Sequence, residues 1–236
     1  MGKSVATSDP KEDPTSEPLL YGYYRRLLAA YGPQHWWPAR TRFEVILGAI
    51  LTQNTAWVNV ERALFNLRRE KLLTPEAIEA VSGARLARLL RPSGYFRQKA
   101  QTLKAFVQFL RAQYAGSLTK MFRNPTELLR QQLLAVRGIG PETADAILLY
   151  AGKHPVFVVD AYTRRMLERH QLAHTKLSYE QIRKLFEQNL PQNASLYNEL
   201  HALIVRTGKE YCRKSNPNCR DCPLHDLLPE EIKRSL

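Results

Sequence analysis

The sequence predicts an all-α fold, and three observations carry that expectation. Apolar residues recur at three-to-four spacing, in Phe43, Ile46, Leu47, Ile50 and Leu51 and again in Leu103, Phe106, Val107 and Leu110, the period of a helix with one buried face. The stretches between such runs carry helix start and stop residues rather than the alternation and turn dipeptides of a sheet. The one β-like stretch, Val156 to Val159, is too short to found a sheet. At 236 residues the chain can bury a sizeable core, as one larger domain or as two small lobes around a shared cleft.

Taken in order, residues 1–18 are polar, rich in Pro, Ser and acids, and lack the apolar periodicity needed to pack, so they read as a disordered leader. The folded domain is expected over 19–236. Thr74-Pro75-Glu76 and Asn124-Pro125-Thr126-Glu127 each place a capping residue before a proline suited to a first helical turn. Ser178 with Gln181 has the form of a capping box, and Gly116, Gly152 and Gly208 stand where helices are expected to stop.

Charge narrows the partner. The chain holds 35 Lys plus Arg against 22 Asp plus Glu, a net +13. The first eighteen residues hold Lys3 and Lys11 against Asp9, Glu12, Asp13 and Glu17, so the body carries +15. A folded surface with that excess suits a polyanion such as nucleic acid, although charge alone does not say which kind. No apolar run is long enough to span a bilayer and no signal-peptide pattern is present, so an intracellular, cytoplasmic protein is expected. Three cysteines, all between 212 and 222, argue against a disulfide framework and for a metal or cluster site.

The most informative segment is VRGIGPETADAILLYAGKHPVFVVDAYTRRML, residues 136–167. Gly138-Ile139-Gly140 falls between a helix ending near Val136 and one beginning near Pro141, closing a two-helix hairpin. Glycines there let a phosphate approach the backbone, where the amides of the next helix point at it; a plain tight connection has the same spelling. Ile139 would pack the turn against both helices. Twenty residues after Gly140, Asp160 ends the apolar run VFVVD just before a new helix. It suits an N-cap for residues 161–170, and that role can coexist with a chemical one.

With these residues in view, the chain resembles the helix-hairpin-helix Gly/Pro-Asp superfamily of DNA glycosylases, in its endonuclease III-like branch. The likeness covers nearly all of residues 30–228. It rests on LTQNT at 51–55, RPSGYFRQKA at 91–100, RGIGPETADAIL at 137–148 and VVDAYTRRM at 158–166. It implies two helical lobes, with duplex DNA across the cleft and a damaged nucleotide extruded into it. It implies that Asp160 is the catalytic carboxylate, stabilising positive charge on the deoxyribose as the N-glycosidic bond breaks. It also implies DNA contacts by Gln53, Lys99, Gly138, Ile139, Gly140 and Thr143, with Gln53 entering the gap left by the flipped base.

Two positions refine the implied activity. Members that also cut the strand carry a lysine just before the Thr-Ala of the post-hairpin helix, where its amine attacks C1′. Here that residue is Glu142, so water is the expected nucleophile, although another lysine can approach in space; on residue type alone Glu142 reads as a first-turn acid favouring the helix dipole. The stretch HWWPARTRFEVILGAILTQNTAW, residues 35–57, is similar to the 3-methyladenine DNA glycosylases, which implies a base pocket of Trp37, Pro38 and Trp57, with Trp36 as packing. An alkylated, positively charged purine is drawn to aromatic faces and is already a good leaving group.

Cys212, Cys219 and Cys222 match the first three ligands of the four-iron four-sulfur loop of endonuclease III relatives, which would lie within 209–228. The fourth cysteine of that pattern falls on Leu228. A cluster with another ligand, a zinc ion on the three cysteines and His225, and a metal-free remnant all stay open. Arg213, Lys214 and Arg220 fit a loop that touches DNA backbone in any of these cases.

The sequence thus predicts a monomeric DNA glycosylase acting on duplex DNA with a damaged base, an alkylated purine such as 3-methyladenine, without strand cleavage. Its rivals are a glycosylase-lyase for oxidised pyrimidines or mismatches and a non-catalytic helix-hairpin-helix DNA-binding module, which would have no need of Asp160.

Overall fold

The computed structural model describes residues 18–36, 39–173 and 176–235; residues 1–17, most of the expected leader, lie outside it. Among the described residues every regular element is helical. The order is α1 (Leu19–Tyr31), α2 (Arg42–Leu51), α3 (Trp57–Arg69), α4 (Pro75–Ala80), α5 (Gly83–Leu89), a 3-10 turn Arg91–Ser93, α6 (Phe96–Tyr114) and α7 (Leu118–Met121). Then come α8 (Thr126–Leu134), α9 (Pro141–Ala146) running on as a π-helical turn Ile147–Gly152, α10 (Ala161–Arg169), α11 (Tyr179–Asn189) and α12 (Ala194–Glu210). A 3-10 turn His225–Leu227 and α13 (Glu230–Ser235) close the chain.

Helix α2 organises the molecule. Thr41 caps it by accepting from the Glu44 amide at 3.1 Å, and every residue from Phe43 to Leu51 is buried. A helix apolar nearly all round must lie inside. The one charge in that buried stretch, Glu44, is paired with Arg68 and accepts from the Arg40 amide at 3.0 Å. Around it pack α3, α6, α9 and the π-helical turn, and α4 and α5 lie on α6. On the other side α1 packs on α11 and α12, and α10 on α12. The π-helical turn touches both α2 and α12, so the two groups share one continuous apolar core.

Most of the punctuation stands where the sequence places it. Thr74 caps α4, with Pro75 as first helical residue, and Ser178 with Gln181 forms a reciprocal capping box on α11. Two expectations are corrected. Asn124 caps nothing at an N-terminus: its amide donates back to the carbonyls of Lys120 and Met121, and α8 begins at Thr126 behind an extended Pro125. Gly208 does not stop α12, which continues to Glu210; a Cβ there would lie 2.2 Å from the Tyr162 ring, so the glycine lets α10 and α12 approach closely. Val156 to Val159 is buried and founds no sheet, as its length led one to expect: it carries no regular structure, and no strand lies among the described residues. Side chains replace the missing ladder, Glu187 accepting from the Phe157 amide at 3.0 Å and the Tyr179 hydroxyl from the Val159 amide at 3.3 Å. That buried run delivers Asp160 to the start of α10.

Candidate active site

Asp160 is the N-cap of α10. Its Oδ1 accepts from the Thr163 amide at 2.8 Å and the Thr163 hydroxyl at 3.0 Å, which pins the carboxylate. Its Oδ2 lies 3.6 Å from His201 Nε2 on α12. Capping therefore uses one oxygen, and Asp160 lines a cavity of about 250 Å³.

The cavity lies where α2, α9, α10 and α12 converge. Trp36, Trp57, Ala49, Ala146, Val158 and Val205 give it an apolar lining, and Gln53, Thr55, Glu142, Asp160, His201 and Lys209 add polar groups. Trp57, which the resemblance implied for a base pocket, lines this cavity, its indole N–H held by Glu61 at 3.0 Å. Trp37 and Pro38, expected beside it, lie outside the described residues. Trp36, read as packing, instead lines the cavity, with the Lys209 ammonium 5.8 Å from its ring centroid. Glu142 is open to the same cleft, yet the surrounding protein and then the charge of Asp160 push its carboxyl up to about 7, with Arg164 opposing. It is thus more than a helix-dipole acid, because it and Asp160 share one cavity.

The hairpin has the expected form. Gly138 adopts φ +85°, and a Cβ on it would lie 2.1 Å from Thr102 Oγ1, so both conformation and space demand glycine. Gly140 is extended and open, and Ile139 is buried beneath the turn as packing. Gln53, just past the end of α2, is tied to the hairpin: its amide donates to Gly138 O at 3.1 Å and to Thr143 Oγ1 at 3.0 Å. Thr143, expected at DNA, is buried and spends its hydroxyl on Gln53. Lys99 is also corrected. It is 3% exposed, and its ammonium donates to Leu51 O at 2.9 Å and Ser93 O at 2.6 Å, out of reach of any phosphate. Leu51 ends α2, so Lys99 satisfies a terminal helix carbonyl just before Gln53.

Two further cavity-lining residues, His201 and Lys209, were not singled out by sequence reasoning. His201 is a lone imidazole inside the apolar run LHALIV, a weak signal that gains meaning only once α12 lies against Asp160.

Cys212, Cys219 and Cys222 line one small cavity with His170, His225 and Leu228. Leu228, at the position of a fourth ligand, is buried, and the Arg169 guanidinium donates to Cys212 Sγ at 3.1 Å. His225 Nδ1 faces Cys219 O at 3.1 Å. Among the described residues no three His, Cys, Asp or Glu side chains are arranged to hold a metal ion. The donor set is one thiolate short of a four-cysteine cluster and does not fit it.

The family model for the HhH-GPD superfamily base excision DNA repair protein matches residues 47–192. A protein of Methanocaldococcus jannaschii that carries the name of a DNA repair glycosylase is 46% identical over 211 residues, 89% of this chain and 95% of its own. Endonuclease III of Thermotoga maritima is 28% identical over 183 residues, 76% of this chain and 79% of its own. Among solved structures, the H. pylori 3-methyladenine DNA glycosylase bound to 1,N6-ethenoadenine superposes with a TM-score of 0.71 at 30% identity, over 80% of this chain and 97% of that one. Endonuclease III trapped covalently on DNA superposes with a TM-score of 0.79 at 22% identity, over 94% of this chain and 99% of that one, a likeness of fold.

Proposed function

The chain belongs to the HhH-GPD superfamily of base excision DNA repair proteins, and on that premise we propose that it is a monofunctional DNA glycosylase that hydrolyses the N-glycosidic bond of an alkylated purine in duplex DNA. The observation that carries this reading is the single cavity of about 250 Å³ in which Asp160 faces two tryptophan rings, Trp36 and Trp57. The 30% identity to a 3-methyladenine glycosylase supports it further.

Each group has a role set by its place. The hairpin at Gly138 to Gly140 presents backbone to a phosphate of the damaged strand. The aromatic faces hold the extruded base, more strongly when alkylation has made it cationic. The C1′–N bond breaks with its electron pair leaving on the base, and the free Oδ2 of Asp160 stabilises the positive charge that develops on the sugar. A water oxygen then adds at C1′ and gives its proton to solvent. A cationic purine departs neutral, so no proton donor is required. No step runs through the cysteine loop.

Glu142 at the position of the strand-cutting lysine argues for water as nucleophile. A second reading, a glycosylase-lyase for oxidised pyrimidines, draws on Lys209, whose amine lines the same cavity. The test is to incubate the protein with methylated duplex and with oxidised-pyrimidine duplex, scoring free base and borohydride-trapped complex separately. Release of methylated adenine without trapping supports the proposal. Trapped complex on the oxidised duplex, abolished by Lys209→Met, establishes the second reading, and DNA binding without release on either duplex removes both.

A further inference from the structure

Behind Asp160 a short polar chain runs into the core. The Tyr150 hydroxyl lies 2.5 Å from His201 Nδ1, and His201 Nε2 lies 3.6 Å from Asp160 Oδ2. Tyr150 is 5% exposed and His201 6%, so neither is solvated. His201 Nε2 has no hydrogen-bond partner, and Asp160 Oδ2 is the charged oxygen it faces. A buried imidazole nitrogen in that situation is either aimed at a function or costs stability for none. The Phe157 ring, edge-on to the imidazole at 6.4 Å between centroids, helps confine it.

We propose that His201 is a positioning residue for Asp160: Tyr150 donates its O–H to Nδ1, the imidazole keeps its proton on Nε2, and that N–H orients the Asp160 carboxylate with Oδ2 toward the cavity. The inference rests on Asp160 being the reacting carboxylate.

The physical argument turns on which tautomer the surroundings allow. Burial holds the Tyr150 phenol well above its ordinary acidity range, so it is an O–H donor at any working pH. Burial also lowers His201, against the charge of Asp160, which favours a neutral ring with one N–H. With Nδ1 accepting from Tyr150, that proton sits on Nε2. The other tautomer would set the Nε2 lone pair against a carboxylate, two acceptors facing each other. The carboxylate is then held asymmetrically, with Oδ1 fixed by Thr163 and Oδ2 guided by His201 while keeping a lone pair for the sugar. The charged groups facing this array are Glu142 from α9, Arg164 from α10 and Lys209 from α12 itself.

The test is single-turnover base release from methylated duplex at saturating enzyme across pH 5–9, with DNA affinity and melting temperature measured on the same proteins. Asparagine at 201 can keep a partner for Tyr150 but not reach Asp160, whereas glutamine places an amide N–H near the former Nε2. His201→Asn should slow release by about tenfold or more with DNA affinity unchanged, and His201→Gln should restore most of that loss. Tyr150→Phe, which removes one oxygen and keeps the ring, should slow release and shift the pH profile. His201→Asn at the wild-type rate, or the two His201 variants slowed equally, would overturn the proposal. If the His201 variants do not fold, an unchanged rate and pH profile in Tyr150→Phe overturns it, and the stated slowing and shift upholds it. Failure of the underlying reading is distinguishable, because it alone gives wild-type release from Asp160→Asn.

Discussion

At position 142 a carboxylate opens to the cavity that Asp160 also lines, and its acidity is the most measurable consequence of the site. Its pKa stands at about 7 against an ordinary 4.5, first from burial and then from Asp160. Raised above the unfolded value, it favours folding fully below about 4.5 and loses that contribution as pH climbs through about 7. Because the side chain opens to the cleft, solvent screens part of the effect. Glu142→Gln should therefore melt with wild type at pH 4 and above it at pH 8; superimposed melts at pH 8 would show that ionising Glu142 carries no penalty. The N-cap place of Asp160 was legible because a carboxylate at the end of VFVVD and ahead of a helix is conspicuous in sequence, whereas its proposed chemical role came from the family resemblance. Lys99 was misread because sequence does not separate a lysine reaching outward from one bonded to Leu51 O and Ser93 O. His201 and Trp36 were illegible for a different reason: their meaning comes from segments more than forty positions from Asp160 that only tertiary packing brings to it.

Among the elements, the hairpin shows how two glycines with one spelling differ in necessity. Gly138 sits at positive φ with Thr102 against it, whereas Gly140 is extended with open space where a Cβ would point. Gly138→Ala should destabilise by about 1–3 kcal/mol through backbone strain and the clash, and Gly140→Ala should leave thermal stability within about 0.5 kcal/mol. Equal melting temperatures for the two variants would contradict this assignment of the turn. The helix starts at Thr74 and Ser178 were readable because caps act locally on the next turn. The continuation of α12 through Gly208 was not, because the reason for that glycine is the Tyr162 ring on α10, forty-six residues earlier in the chain. The buried run before Asp160 likewise takes its partners from Glu187 and Tyr179 on α11.

For the whole molecule, the all-helical fold followed from periodicity, and the convergence of α2, α9, α10 and α12 on one cavity required the structure. The described residues hold no helix long and apolar enough to cross a membrane. The net charge of +13 gives an expectation independent of any base. Affinity for undamaged duplex should fall with salt by about 0.9 log units per log unit of salt for each phosphate neutralised, giving a slope steeper than about −3; a slope near zero would remove backbone contact from the account. The central claim is that Asp160 breaks the glycosidic bond of an alkylated purine held beside Trp36 and Trp57. Its most direct test is single-turnover release of 3-methyladenine from methylated duplex by wild type and by Asp160→Asn, whose amide oxygen can still cap α10. The account predicts release by wild type and a loss of at least about 10³-fold in the variant, with its melting temperature and DNA affinity nearly unchanged. Release by the variant at the wild-type rate, or none by wild type, would contradict it.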